Sequence, residues 1–399
     1  MSRRPQRIIV RRVDNLGDIV LALPVFEALR KNYPKAHFTL MVKESHQALC
    51  AHLADEFAPP LPVERFHEFA RKYDIAFNID YFGNDLKEQK KSSVVRHING
   101  IKWEPQRHIA THLAYGLAMH GLEFPSSPVP RLPITKDRRT TAKAWLEKNG
   151  VPAKRSLWIG VHIGSREATK RWPTSKYAKL CTWLHQAFNA HIFFFGSETE
   201  ASSIDIVFQA LPDDVATRVI AQPLDVVAAM LQRMDILIGN DSGISHLGAA
   251  VKTPTVSLFG PTNPTLWRPA GNKSVLVLRP QPKGPMHRST KLPVQTIEQV
   301  KQGVHLCLQK YVKREKFPVL DTISVSADIQ FERTRKGVIV RSGPKGSACL
   351  VQDGWQRVKR ILATVDERKS YKRTLRRFRD AGPLLDLFIL HGIVKWGRS

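Results

Sequence analysis

Residues 236–262, ILIGNDSGISHLGAAVKTPTVSLFGPT, constrain the fold of this chain more than any other stretch. An apolar run ends in the polar turn Asn240-Asp241-Ser242-Gly243, a small-residue helical segment follows, and a second apolar run ends in Gly260-Pro261-Thr262. Two short apolar runs joined by one helix are the pattern of parallel strands with a crossover, which brings both strand ends to the same sheet edge. The helix opens beside that edge. Its first amides have no intrahelical acceptor, and the side chains at Ser242 and Gly243 are small, so a phosphate can approach them. Asp241 would repel a phosphate and instead suits a ribose hydroxyl, an ammonium group or local amides. A plain helix cap followed by a turn glycine explains the same run equally well at this level.

The rest of the chain repeats this grammar. Arg7 to Val13 reads as a strand, Asp14 to Asp18 as a glycine-containing turn and Ile19 to Asn32 as a helix with Pro24 early in it. Strands are expected at Ala36 to Met41, Asp74 to Asp80 and Ser92 to Ile98, and helices at Glu44 to Leu53, Arg65 to Tyr73 and His108 to Met119; Tyr81 to Lys91 reads as a polar loop. The proline-rich segment Phe124 to Pro133 marks a domain boundary. Beyond it come a helix at Thr140 to Asn149, a strand at Leu157 to Ile163, the loop GSREATKRWP (164–173), a helix at Ser175 to Phe188, a strand at His191 to Phe195, a helix from Pro223 to Arg233, a strand at Val275 to Leu278 and a helix at Thr296 to Tyr311. The expected fold is α/β, with two Rossmann-like doubly wound domains, residues 1–130 and 131–318, facing a central cleft and a basic extension at 319–399.

Length agrees, since 399 residues exceed what one hydrophobic core holds comfortably. No apolar run reaches the roughly 18 residues of a membrane span, and the first residues lack the pattern of a secretory signal. Cysteines at 50, 181, 307 and 349 show no metal-binding spacing, so reduced thiols are expected. A net charge of +27 calls for an anionic partner: nucleic acid, acidic lipid or a phosphorylated glycolipid. Residues 331–399 hold seventeen Lys and Arg against six Asp and Glu, clustered at Arg368 to Arg379 and followed by the apolar patch Pro383 to Val394. That combination suits a surface lying on anionic lipid; a helical appendage with a solvated basic face is the plainer account. A single-strand nucleic-acid platform interleaves aromatic with basic residues, and this cluster offers only Tyr371 and Phe378, so no nucleic-acid partner is expected. Val338 to Val340 and Cys349 to Val351 read as a small hairpin.

Lys170, with Arg166 and Arg171, follows the first strand of the second domain, where a flexible point charge can neutralise a diphosphate, with Trp172-Pro173 anchoring the loop. A cationic surface loop is the alternative. Neither a GxxxxGK[ST] run nor GxGxxG is present, which disfavours a P-loop ATPase or an ordinary dehydrogenase. No carboxylate cluster suggests a divalent metal, so neither metal nor cofactor is expected.

Taken together, Asn15-Leu16-Gly17-Asp18 followed by Leu23-Pro24, GSREATKRWP, NDSGISHLGAA and FGPT resemble the lipopolysaccharide heptosyltransferase family, the ADP-heptose-dependent inverting enzymes of the GT-B arrangement, over roughly residues 7–310. The resemblance implies that Asp18 is the catalytic base, that Lys170 contacts the donor phosphates with Ser165 beside it, and that Asp241, Ser242, Gly243 and His246, completed by Gly260 and Thr262, hold the nucleotide sugar. Arg166 stands where the family has a second hydroxyl residue, and Asn263-Pro264 where it often has Asp-Pro. Glu198 is a candidate for ribose or sugar hydroxyls, or a helix cap; Gln222 is a candidate for the adenine edge. Asp14 and Asn15 are expected to shape the acceptor loop, and Arg12 and Lys87 to meet an acidic acceptor or form solvated basic surface. The cysteine set of iron-containing, protein-directed relatives is absent. The implied reaction is transfer of heptose from ADP-heptose to an anionic, lipid-linked inner-core oligosaccharide by a cytoplasmic enzyme peripheral to the inner membrane. Asp18 would take the acceptor hydroxyl proton while Lys170 and the 242–243 amides stabilise the departing diphosphate. Transfer of another nucleotide-linked sugar on the same fold, and a non-enzymatic RNA- or lipid-binding protein, are the competing readings. No oligomeric state follows from the sequence.

Overall fold

The computed structural model describes residues 6–79, 94–98, 108–124, 126, 128–151, 157–271, 273–278 and 294–312, and within the extension 322–325, 329–334, 337–342, 348–351, 358, 360–363, 365 and 394–397. The first lobe runs β1 (Arg7–Arg11), α1 (Leu16–Asn32), β2 (His37–Met41), α2 (Glu44–Cys50), β3 (Glu56–Ala58), α3 (Val63–Phe69), β4 (Ile75–Ile79), β5 (Val95–Ile98) and α4 (Ile109–Ala118). Its strands are all parallel, in the order β3-β2-β1-β4-β5. Helix α5 (Lys136–Lys148) leads into the second lobe: β6 (Trp158–His162), α6 (Thr174–Phe188), β7 (His191–Gly196), α7 (Ala201–Phe208), β8 (Ala216–Ile220), α8 (Leu224–Leu231), β9 (Ile236–Asn240), α9 (Gly243–Ala250), β10 (Thr255–Phe259), α10 (Pro264–Trp267), β11 (Ser274–Leu278) and α11 (Ile297–Tyr311). This sheet is parallel too, in the order β11-β10-β9-β6-β7-β8. Each order reverses once, between β1 and β4 and between β6 and β9. At such a reversal the loops leave the carboxyl edge in opposite directions and open a crevice. Every residue of β6, β9 and β10 is buried, which is why these strands read as unbroken apolar runs.

Several boundaries differ from the sequence expectation for local reasons. Helix α1 starts at Leu16 because Asn15 is its cap, which leaves Pro24 in the helix interior. The helix runs through it, buried, at the loss of one backbone hydrogen bond. Helix α5 starts at Lys136, capped by Thr135, whose Oγ accepts the Arg138 amide at 3.3 Å. Strands β3 and β8 and helices α7 and α10 were not expected: β3 has three residues, α10 four, and β8 is a half-exposed edge strand without a clear period.

Among the described residues, three apolar clusters hold the molecule. One lies between the second sheet and α6, α7 and α11, and one on the outer face of the first lobe. The third runs through both lobes, joining Val20 and Phe26 of α1 to Trp158, Phe193 and Leu237 of the second sheet and to Val226–Leu231 of α8. Helix α8 packs against α2 and α5, and α1 against α9. The lobes therefore share an apolar core on one side of the crevice, which restricts their relative motion.

In the extension, β12 (Thr322–Val325) pairs antiparallel with β16 (Val394–Gly397), while β13 (Ile329–Thr334), β14 (Gly337–Ser342) and β15 (Ala348–Val351) form an antiparallel sheet. Val340 lies opposite Cys349, as the hairpin reading expects. Val340, Val358, Ile361, Leu362 and Val365 are buried in the second lobe's core, so this part is built into that lobe rather than appended to it. The basic cluster at 368–379 and residues 383–393 of the apolar patch lie outside the described residues. Among the described residues no helix is long and apolar enough to cross a membrane. Cys50, Cys181 and Cys307 are buried free thiols; burial alone pushes Cys50 up to about 12.

Candidate active site

The carboxyl edges of the two sheets enclose a cavity of about 590 Å³. The first lobe contributes Asp14 to Asp18 and Leu21; the second contributes the loops after β6, β7, β9 and β10. The N-termini of α1 and α9 meet at its floor. A Cβ on Gly243 would lie 2.7 Å from Leu16 Cβ, and one on Gly17 would lie 3.0 Å from His246 Cδ2, so the approach of the two helix ends depends on both glycines.

The α1 end is closed from within. The Asn15 amide donates to Asp18 Oδ2 at 3.2 Å and its side-chain Nδ2 lies 3.3 Å from the same oxygen, so Asp18 is the third helical residue and the back-reaching half of a capping box. Asp18 also lines the cavity. Its carboxylate sits at the N-terminal end of the helix, where the peptide dipoles leave partial positive charge. Across the cleft, Arg166 Nη1 donates to Asn15 Oδ1 at 3.3 Å.

The α9 end is open. Its cap residue Ser242 makes no side-chain capping bond, and Ser242 Oγ and His246 Nδ1 are buried without a hydrogen-bond partner. Buried polar atoms are rarely left so, except where a ligand or water completes them. Burial pushes His246 down to about 4, against the pull of Asp241 and helped by Lys170, so its ring is neutral near pH 7. Asp241 is itself paired: its Oδ2 lies 3.1 Å from Lys170 Nζ and accepts Thr262 Oγ1 at 2.5 Å. Of the partners open to Asp241 on sequence grounds, the ammonium is the one it has. The pair is 17% and 6% exposed, so the carboxylate holds a largely desolvated cation at the cavity wall.

Asn240, fully buried, fixes the cationic loop. Its Oδ1 accepts the Trp172 amide at 3.1 Å and Tyr177 Oη at 3.0 Å, and its Nδ2 donates to the carbonyls of Ile163 at 2.8 Å and Gly164 at 3.2 Å. Trp172 is anchored as expected, with Nε1 donating to the Gln295 carbonyl at 2.9 Å. Arg171 Nε donates to the Ser165 carbonyl at 2.7 Å and so braces the loop instead of facing the cavity.

Of the sequence candidates, Asp14, Asn15, Asp18, Ser165, Arg166, Lys170, Asp241, Ser242, Gly243, His246 and Thr262 share this one cavity. Others do not. Glu198 is exposed and outside the wall; the glutamate that reaches it is Glu200, whose Oε2 accepts the Ser197 amide and hydroxyl, each at 2.9 Å. The Ser-x-x-Glu spacing of a capping box was the signal that separates them. The Glu200 carboxylate occupies the space that a Cβ on Gly164 would take, so a side chain there would displace it. Gln222 lies off the wall with Nε2 donating to the Ile220 carbonyl at 3.0 Å, and Gly260 is also off it. Arg12, expected to face an acceptor or solvent, is fully buried: Nη1 donates to the Ile79 carbonyl at 2.9 Å and Nε lies 3.1 Å from Asp14, so it sets the strand end and the loop behind the cavity. Lys87 lies outside the described residues. His162, Glu167 and Trp267 line the cavity without having been singled out. The His162 Nδ1 donates to the Phe195 carbonyl at 2.9 Å, which leaves Nε2 facing Glu200 at 3.9 Å. Among the described residues no group of three or more His, Cys, Asp or Glu gathers as a metal site.

The profile of glycosyltransferase family 9 (heptosyltransferase) matches residues 87–294, just over half of the chain. This chain belongs to glycosyltransferase family 9. Haemophilus influenzae lipooligosaccharide heptosyltransferase 2 is 23% identical to it over 305 residues, 66% of this chain and 85% of that protein, so the likeness spans both lobes. Among solved structures, a family 9 glycosyltransferase from Veillonella parvula superposes with a TM-score of 0.65 at 23% identity, covering 76% of this chain and 98% of its own. E. coli ADP-heptose lps heptosyltransferase II superposes at 0.61 with 16% identity, covering 76% and 99%. At these identities the superpositions establish the fold, the two-lobed GT-B arrangement. The family member is thus a glycosyltransferase whose cleft carries a carboxylate at one helix end and a lysine with unsatisfied polar groups at the other.

Proposed function

We infer that the cleft binds ADP-heptose and transfers its heptose, with inversion, to a hydroxyl of an anionic inner-core glycolipid. The observation that carries this reading is the open end of α9, where Ser242 Oγ and His246 Nδ1 lack partners beside Lys170. A diphosphate supplies acceptors for both, and the positive helix end with the lysine stabilises the charge that develops as it leaves. Glu200, Asp241 and Thr262 ring the same seat with groups suited to ribose and sugar hydroxyls. Asp18, across the cleft, accepts the proton of the attacking hydroxyl as general base. One displacement inverts the anomeric centre and needs no covalent intermediate. Arg166, hydrogen-bonded to Asn15, is available to a phosphate or to an acidic group of the acceptor.

The acceptor's anionic character is supported by the net charge of +27, which also favours peripheral residence at an anionic membrane face on the cytoplasmic side. The deciding experiment incubates the purified chain with ADP-heptose and deacylated or lipid-linked core acceptors and follows ADP release and product mass. ADP release with a product heavier by one heptose is expected; selective turnover of a different nucleotide sugar would replace the donor assignment. For the membrane, Arg→Gln changes across 368–379 should lower salt-sensitive binding to anionic vesicles; this is preferable to deleting the extension, whose Val358 and Ile361 belong to the core.

A further inference from the structure

The second lobe reaches back to the first at a point separate from the α1–α9 contact. Helix α10 is a single turn that starts directly after Thr262, which donates to Asp241. Asn263 Oδ1 caps it by accepting the Thr265 amide at 2.9 Å, and the Arg268 amide closes it on the Pro264 carbonyl at 3.0 Å. Trp267, its last residue, stands in the cavity wall. The next carbonyl, that of Arg268, accepts a hydrogen bond from His108 Nε2 at 2.8 Å. His108 belongs to the first lobe, where it is the N-cap of α4 and its Nδ1 accepts the Ala110 amide at 3.3 Å.

These two bonds fix the ring chemically. A carbonyl only accepts, so Nε2 carries the proton; an amide N–H only donates, so Nδ1 carries the lone pair. The imidazole is held neutral in a single tautomer, in keeping with burial that pushes its pKa down to about 4 over the opposing hydrogen bond to Arg268. One side chain thus serves both as a helix cap and as a tie between lobes, and on the second-lobe side a four-residue turn separates that tie from the Thr262–Asp241–Lys170 cluster.

We propose that His108 is a positioning residue for the transfer reaction, strapping the α10 turn to the first lobe and thereby setting the separation of Trp267 and the Lys170 seat from Asp18. This rests on the reading of the cleft as the transfer site. The two jobs of the ring are separable by substitution. His108→Asn retains an acceptor suited to capping α4 but is too short to reach Arg268; His108→Gln retains a donor at the reach of Nε2 but loses the cap. With the full-length enzyme, His108→Asn should keep the wild-type melting temperature and lose about tenfold in kcat/KM for the donor, because a misplaced cleft wall costs transition-state contacts. His108→Gln should melt about 3 °C lower and keep kcat/KM within about twofold. Equal kinetics for the two variants, or activity that merely follows melting temperature, would overturn the strap.

A readout independent of turnover distinguishes failure of the strap from failure of the assigned reaction. Spin labels at Glu64→Cys on α3 and Lys179→Cys on α6, both exposed positions, report the distance between lobes. The distance distribution should broaden with His108→Asn and not with His108→Gln. Identical distributions reject the strap even if the wild type turns over no nucleotide sugar, whereas broadening in an inactive wild type would reject the reaction and retain the tie.

Discussion

At the N-terminus of α1 the capping positions are filled by the helix's own residues, Asp18 accepting from the Asn15 amide, whereas at the N-terminus of α9, a short distance away across the cleft, Ser242 Oγ and His246 Nδ1 have no partner. Both ends carry the same partial positive charge, since that follows from the peptide dipoles and not from the side chains. What differs is who satisfies it. The first end holds a resident carboxylate, the base of the proposed transfer; the second end, with Lys170 held beside it by Asp241, is the diphosphate seat of that proposal. In the proposed transfer, the same backbone device would serve opposite halves of one displacement reaction.

The comparison breaks most visibly at Asp18. Asp18→Ala should lower kcat by about 10³-fold while leaving the calorimetric affinity for ADP-heptose within about threefold, because the proposed base and the proposed donor seat sit on different lobes. Equal loss of affinity and turnover would mean the two ends are not divided in function. Next in size, Lys170→Ala should lower donor kcat/KM by about 10²-fold and also lower the melting temperature, since it strands the buried Asp241 carboxylate. Adding Asp241→Asn should recover stability without recovering transfer, which separates the two roles of that lysine.

A smaller effect tests the contact between the helix ends. Gly243→Ala should destabilise the fold by about 1–3 kcal/mol in chemical denaturation, and Leu16→Ala in the same chain should relieve part of it, because the added Cβ meets Leu16 first and the Gly17 amide at 3.0 Å next. The smallest expected change sharpens the contrast itself. Ser242→Ala should leave the melting temperature unchanged and weaken donor binding about fivefold, a hydrogen bond made only to ligand, whereas Asn15→Ala should cost about 1 kcal/mol of stability with donor binding intact. Reversal of that pattern would show that Ser242, not Asn15, is the structural cap.

Much of this was readable from residue types. The apolar runs of β6, β9 and β10 announced buried parallel strands, and the turns after them carried Ser165, Lys170, Asp241, Ser242 and Thr262 to one edge because a parallel sheet puts all its carboxyl ends together. Where the reading slipped, the competing interactions are identifiable. Arg12 was taken for surface because arginine usually is, and a carbonyl at Ile79 with Asp14 beside it supplied the partners that let it be buried. Glu198 was singled out as a candidate for sugar hydroxyls or a helix cap, although the capping spacing points to Glu200. Helix α1 starts at Leu16, ahead of the expected Ile19, because Asn15 is its cap.

The sequence by itself determined the two α/β units, the order of their longer elements and the residue types that line the strand ends, since hydrophobic period and turn chemistry are local properties. Tertiary structure alone decided the partners. That Asp241 holds Lys170, that Asn240 ties the loop 163–172 to β9, and that Gly17 meets His246 depend on the packing of strand-end loops within the second lobe and of one lobe on the other. Contacts between residues 68 to more than 200 positions apart leave no period in the chain, because they are set by where the shared apolar core brings the sheets to rest.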